Sequence, residues 1–121
     1  IGLVGVSFDR ETALLHDICG NIDAIADYIE GMDLTAFTQD RKSVDATERC
    51  LQRITEAVIR IGAERMGAIA PEIDAKVIRG MGNMLRHEYH RIDLFTVFET
   101  ATHDLPRLRA ACLDALKGRA G

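Results

Sequence analysis

Arg79, Asn83 and His87 follow one another at four-residue steps, and Arg86 lies three residues past Asn83. On a helix, at about 100° per residue, these groups spiral along one strip with Asn83 in the middle. Histidine, with an unperturbed pKa near ~6.5, moves a proton at neutral pH. Arginine presents a planar fork of donors that fits phosphate oxygens. Lys76 and Arg91 extend the positive charge at either end. The strip therefore has the groups to bind and process a phosphodiester. A plain solvated helix face explains the charge alone equally well.

That strip needs a helix, and the sequence supplies its other side. Ile73, Val77, Met81 and Leu85 recur every four residues, which predicts a helix with one face buried. Pro71 and Glu72 open it, since proline fits a first helical turn and an acid favours the positive end of the dipole. The helix is expected to stop near Tyr89, because Asp93 reads as the cap of the next one.

Other chemistries find no support. His87-Glu88-Tyr89-His90 brings its second histidine one residue too early for the HExxH zinc spacing. Gly80-Met81-Gly82 lacks the Gly-Lys-Ser/Thr of a phosphate loop and reads as a place of close backbone approach. His90, His16 and His103 are best read as surface or satisfied core residues, and Ser7 and Ser43 have no triad context. Cys19, Cys50 and Cys112 are an odd number without a CxxC pair, which fits small core residues in a reducing compartment.

The chain has 121 residues, enough for one hydrophobic core. Apolar residues make up 47%, aromatics only 5%, and there are two prolines, a balance that suits helices rather than sheets. No apolar run approaches the roughly 20 residues of a membrane span. Residues 1–6 are apolar but short and without a basic flank, so they are expected to be a disordered lead-in or an expression remnant rather than a signal. Residues 7–118 form the single predicted domain. Net charge is −4. Between Lys76 and Arg91, however, four basic residues meet one acid, Glu88, while the remainder holds 11 basic and 18 acidic residues. A basic strip on an acidic body steers phosphate to one place.

The other elements follow from apolar periodicity and caps. A first helix, capped by Ser7 or Asp9, runs to about Glu30 with Leu14, Leu15, Ile18, Ile22, Ile25 and Ile29 as its core stripe. Gly20 weakens it by roughly 1 kcal/mol relative to alanine unless a neighbour packs closely there. Gly31 ends it, and Asp33 caps a short helical turn through Phe37. A second long helix begins near Asp40 and buries Val44, Leu51, Ile54, Ala57, Val58 and Ile61. Its other side, Arg41, Glu48, Arg49, Gln52, Arg53 and Arg60, faces water or a partner. It is expected to fade between Gly62 and Gly67. After the motif helix, Leu94, Val97, Phe98 and Ala101 make the next apolar face. Asp104-Leu105-Pro106 predicts a cap, a break and a fresh start, with Leu108, Cys112, Leu113 and Leu116 packing the last segment and Gly118 ending it. The expected architecture is all-α: an up-and-down antiparallel bundle of four main helices plus a short C-terminal helical segment.

Gly80-Met81-Gly82-Asn83-Met84-Leu85-Arg86-His87-Glu88-Tyr89 resembles the signature of the HepT-like branch of the HEPN superfamily. The resemblance covers nearly the whole chain. Phe37 with Asp40 is similar to the family's short segment before its second helix, Ile54-Thr55-Glu56-Ala57 to its Ile-Gly-Glu-Ala, Pro71-Glu72-Ile73 to its turn before the motif, and Asp104-Leu105-Pro106-Arg107-Leu108 to its Asp-Leu-Pro-x-Leu. The resemblance implies a HEPN-like fold and a cytoplasmic toxin of a toxin–antitoxin pair. Such a toxin is a homodimer that cuts RNA without a metal. It further implies an antitoxin, a minimal nucleotidyltransferase that uses ATP and magnesium to adenylylate the tyrosine two residues after the motif histidine. These positions are Tyr89 and His87. The chain itself carries no motif for a cofactor.

The catalytic candidates are thus His87, Arg79, Arg86 and Asn83, and the RNA phosphate contacts are Lys76, Arg79, Arg86 and Arg91. The family pattern, Arg-Asn-x-x-x-His, has an arginine where this chain has Gly82. Arg79 or Arg86 supplies the missing charge, or the other subunit supplies it across a two-fold axis, or catalysis is lost. In the last case the chain is a non-catalytic helical dimer that binds a nucleotidyltransferase and presents a substrate to it.

Overall fold

A computed structural model describes residues 2–73 and 93–119, with side chains described from residue 9. The elements are α1 (Gly2–Tyr28), α2 (Leu34–Gln39), α3 (Arg41–Ile61), α4 (Ala63–Ile69), α5 (Leu94–Glu99), a π-helical turn (Thr100–Asp104) and α6 (Leu105–Lys117). The all-helical expectation is borne out. Among the described residues no helix is long and apolar enough to cross a membrane.

α1 is the central element, and its predicted stripe is the middle of the core. Leu14, Leu15, Ile18, Ile22, Ile25 and Ile29 are all buried, because residues three and four apart stack on one face. The helix begins ahead of the expected cap at Ser7 or Asp9. It ends before Gly31, whose φ of 75° is a left-handed turn that favours glycine. Gly20 is exposed and has nothing within 4 Å of where a Cβ would stand. No neighbour offsets its helix cost. Gly20→Ala is therefore expected to stabilise the fold by about 0.5–1 kcal/mol, read as a raised denaturation midpoint. An unchanged or lowered midpoint would contradict this.

Contacts at both ends set the helix directions. The Ser43 hydroxyl at the start of α3 lies 3.3 Å from the Tyr28 carbonyl at the end of α1. Arg65, just past α3, binds Glu11 near the start of α1. α3 therefore runs antiparallel to α1. α6 does so too, since Arg109 reaches Asp23 at 2.7 Å while Arg119 reaches Glu11. This is the expected up-and-down arrangement. Phe37, fully buried, stacks obliquely on Phe98 at 5.2 Å and ties α2 to α5.

The cap at Asp33 forms as the sequence predicts, and Asp40, where the second long helix is expected to begin, caps it. Asp33 accepts from the Ala36 N–H at 2.8 Å and Asp40 from the Ser43 N–H at 3.4 Å. Two expected boundaries are different. The chain does not fade after Ile61; Gly62 turns it at φ 94°, and α4 starts at once so that Met66 enters the core at 3% exposure. Nor does it break at Asp104. Asp104 is helical and its side chain makes no capping bond. α5 and α6 join through the π turn, where the Leu105 N–H donates to the Thr100 carbonyl. That wider turn directly precedes Pro106, which lacks a donor and would crowd a regular preceding turn.

Glu11 joins three parts of the chain. Arg65 holds it through two bonds of 2.9 and 2.8 Å, and Arg119, nearly buried, donates to the same carboxylate and to the Thr12 hydroxyl. The Arg65 bond, joined by that of Arg119, lowers the Glu11 pKa from 4.5 to about 2 despite opposing desolvation. A carboxylate depressed in the folded state stabilises fully above its unfolded value and loses that contribution as pH falls through the folded one. Stability is thus expected to fall between about pH 5 and pH 2 by on the order of 1–2 kcal/mol, discounted because Arg65 stands half in water. Acid titrations of the parent and Glu11→Gln should converge at low pH. Parallel curves would refute the assignment.

Candidate functional site

The strip read from the sequence lies in residues 74–92. Lys76, Arg79, Asn83, Arg86, His87, Tyr89 and Arg91 all fall outside the described residues, as do Gly82 and His90. The structure describes the two ends from which that segment is held.

On the entry side, Met66 and Ala70 are buried at 3% each and anchor the chain to the core. Pro71–Ile73 then forms a turn rather than the expected first helical turn, closed by the Ile73 N–H on the Ala70 carbonyl at 3.1 Å. Arg107 of α6 donates to the Glu72 carbonyl at 3.4 Å. Ile73 packs on the core, so this first residue of the apolar stripe is placed as predicted. A cavity of about 300 Å³ opens here between the turn and Arg107, Ala110 and Asp114. In the sequence Arg107 stands out only as the fourth residue of the Asp-Leu-Pro-x-Leu pattern. Its contact with Glu72 spans 35 residues and leaves no local signal.

On the exit side, Asp93 is the cap the sequence predicts. Its Oδ1 accepts from the Phe95 and Thr96 N–H groups at 3.1 and 3.3 Å, and the Thr96 hydroxyl donates to Oδ2 at 2.8 Å. Those bonds, the Thr96 hydroxyl first, hold its carboxyl below the ordinary carboxylate range. Leu94 and Val97 then lock α5 onto the core, with Val97 fully buried. A carboxylate saturated by its own helix end is a positioning device, with little capacity left for proton transfer.

The described remainder offers little competing chemistry. Cys19, Cys50 and Cys112 are free and buried, as small core residues. Burial pushes all three thiols up, Cys112 to about 12, so none is a thiolate at neutral pH. His16 is exposed, and His103 is exposed beside Glu99 at 3.4 Å, in line with their surface reading. Among the described residues no three His, Cys, Asp or Glu side chains gather where they could hold a metal ion.

The family described as Ribonuclease HepT-like matches residues 18–114, a span that contains both anchors and the segment between them. The candidate RNase MJ0125 of Methanocaldococcus jannaschii is 34% identical over 97 residues, covering 80% of this chain and 83% of its own. The candidate RNase MJ1216 of the same organism is 33% identical over 97 residues, covering 80% of this chain and 79% of its own. No solved structure matches the chain. With four-fifths of its length matched, the chain belongs to the HepT-like ribonuclease family.

Proposed function

We propose that this chain is a metal-independent endoribonuclease that serves as the toxin of a toxin–antitoxin pair. The observation that carries the reading is the family match across residues 18–114, which includes Asn83 and His87. In the reaction the ribose 2′-oxygen attacks the adjacent phosphorus and the 5′-oxygen leaves. The 2′-hydroxyl loses a proton, the 5′-oxygen gains one, and the products are a 2′,3′-cyclic phosphate and a 5′-hydroxyl. His87 carries a proton step, and Asn83 orients the phosphate. Arg79 or Arg86 replaces the charge missing at Gly82 and meets the negative charge gathered on the transition state. Lys76 and Arg91 hold neighbouring phosphates.

One histidine per subunit is too few for both proton steps, which supports a homodimer with the two strips facing across a two-fold axis. Phe95, 56% exposed immediately after the segment, offers apolar surface for that contact. The antitoxin is a nucleotidyltransferase that transfers AMP to Tyr89, and the pair works in the cytoplasm. The purified chain is expected to cut RNA in excess EDTA and to leave 2′,3′-cyclic phosphate ends. Cleavage that stops with chelator and returns with magnesium or zinc would refute metal independence. A mass in ultracentrifugation that stays monomeric at every concentration would refute the dimer.

Gly82 favours a second reading, in which the chain is a non-catalytic dimer that presents a substrate to the nucleotidyltransferase. Normal growth with intact RNA on expression of the chain alone would select it, and growth arrest that disappears with His87→Ala would exclude it.

A further inference from the structure

The peptide between Glu72 and Ile73 is the last described link before the His87 segment, and it is held at both edges. A peptide unit is planar, with its N–H and its C=O directed to opposite sides. Here the Ile73 N–H donates to the Ala70 carbonyl at 3.1 Å, and the Glu72 carbonyl accepts from the Arg107 guanidinium at 3.4 Å. Ala70 is buried at 3%, so the first edge is fixed to the core. The second is fixed to α6, through a residue 35 positions further along the chain. Pro71 limits the turn as well, because its ring holds φ near about −65°. The freedom that remains lies at Glu72 and Ile73, and the two bonds take it up.

Little else ties the turn to α6. Between residues 69–73 and the facing side of α6 lies the cavity of about 300 Å³, where the short side chains of Ala110 and Ala111 leave the gap open. Arg107 lines that cavity and reaches across it to the turn. Acids stand near it, Asp104 three residues earlier and Asp114 on the cavity wall. Among the described residues Arg107 nevertheless forms no ion pair, and its guanidinium is directed to main-chain oxygen. An ionised donor binds a carbonyl more strongly than a neutral one does. A main-chain acceptor also fixes the backbone itself, where a carboxylate would fix only a flexible side chain.

The direction of that peptide has a long lever behind it. The stripe Ile73, Val77, Met81 and Leu85 predicts a helix from this turn. At about 1.5 Å per residue, His87 stands about 22 Å along such a helix, so a tilt of about 3° at the turn displaces its imidazole by about 1 Å. A misplacement of that size can cost about 10² in rate.

We propose that Arg107 is a positioning residue, which clamps the Glu72–Ile73 peptide and so sets the angle at which the His87 segment leaves the core. Its consequence for catalysis rests on the ribonuclease reading. The test uses the full chain and a labelled single-stranded RNA of mixed sequence. Arg107→Met keeps most of the apolar stem and removes the donors, and Arg107→Lys supplies a donor again. Arg107→Met should lower kcat about tenfold and leave KM within about twofold, the mark of misplaced chemistry rather than lost binding. Arg107→Lys should recover most of the rate, and Glu72→Ala, which keeps the carbonyl, should cleave like the parent. Hydrogen–deuterium exchange reads the clamp without any chemistry. Peptides spanning residues 74–92 should exchange faster in Arg107→Met and return towards the parent in Arg107→Lys, while those of α1 and α3 stay unchanged. Arg107 and Glu72 are both exposed, so the variants should fold as the parent does.

Unchanged kcat and unchanged exchange overturn the proposal, and in an active parent so does a change in either one without the other. A raised KM with kcat held makes Arg107 a contact for RNA and overturns it. Faster exchange throughout the chain reduces the bond to a contribution to the fold. A loss that lysine does not repair, or that Glu72→Ala reproduces, removes the main-chain clamp. If the parent cuts no RNA, the ribonuclease reading falls and exchange alone decides. Local acceleration reversed by lysine then keeps the clamp, and its absence removes it.

Discussion

Alanine at His87 is expected to lower RNA cleavage by about 10² to 10⁴, the range in which a positioned general acid or base contributes. His87 is the one titratable group of the motif whose unperturbed pKa lies close to neutrality, so no neighbour takes over its proton step. His90 is the nearest substitute, and His90→Ala should leave the rate within a few-fold of the parent. The arginines complete the series. If Arg79 or Arg86 stands in for the arginine displaced by Gly82, alanine there should cost about 10² to 10³, as for a lost transition-state charge partner. Restoring the family pattern with Gly82→Arg should then recover much of the loss. Single-turnover cleavage of a labelled RNA measures these variants. Equal rates for the parent, both arginine single mutants and their double mutant would show that neither arginine serves, and an active His87→Ala would remove the mechanism altogether.

Adenylylation of Tyr89 is expected to abolish cleavage. The tyrosine follows His87 by two residues and does not fall on the apolar stripe of Ile73, Val77, Met81 and Leu85, where a ring needed for the core would sit. In the transfer the Tyr89 oxygen attacks the α-phosphorus of ATP, pyrophosphate leaves, and the phenolic proton is lost. The product places a bulky anion beside Arg86, Arg91 and His87 in the sequence, where it competes with RNA phosphate by charge and by volume. Mass spectrometry of the chain co-expressed with its nucleotidyltransferase should find one or more AMP groups on Tyr89, and that preparation should not cut RNA. Adducts on other residues only, or a Tyr89→Phe variant that the partner still silences by adenylylation, would refute Tyr89 as the control point.

Local chemistry was readable residue by residue. The stripe Leu14 to Ile29, the caps at Asp33 and Asp93, the helix start near Asp40 and the turn at Gly31 each depend on groups within about four positions of one another, and each stands in the structure as the sequence predicts. The same local reading failed where a longer-range demand prevailed. Asp104-Leu105-Pro106 has the pattern of a stop and restart, yet packing of Val97, Ala101, Leu105 and Leu108 on one core holds the chain helical, and a π turn absorbs the proline. Gly62 to Gly67 resembles a fading helix end, yet burying Met66 draws out a further helix.

The sequence by itself determined the helical class, most of the core, the order of the elements and the family, because apolar period, caps and motif order are properties of neighbours along the chain. Only the tertiary structure decided which distant residues meet. Arg65 and Arg119 converge on Glu11 across 54 and 108 residues, and Arg107 crosses 35 to hold the turn before the motif. Such pairings depend on the register in which packed helices settle, and that register is set by the fit of the whole core rather than by any stretch of sequence.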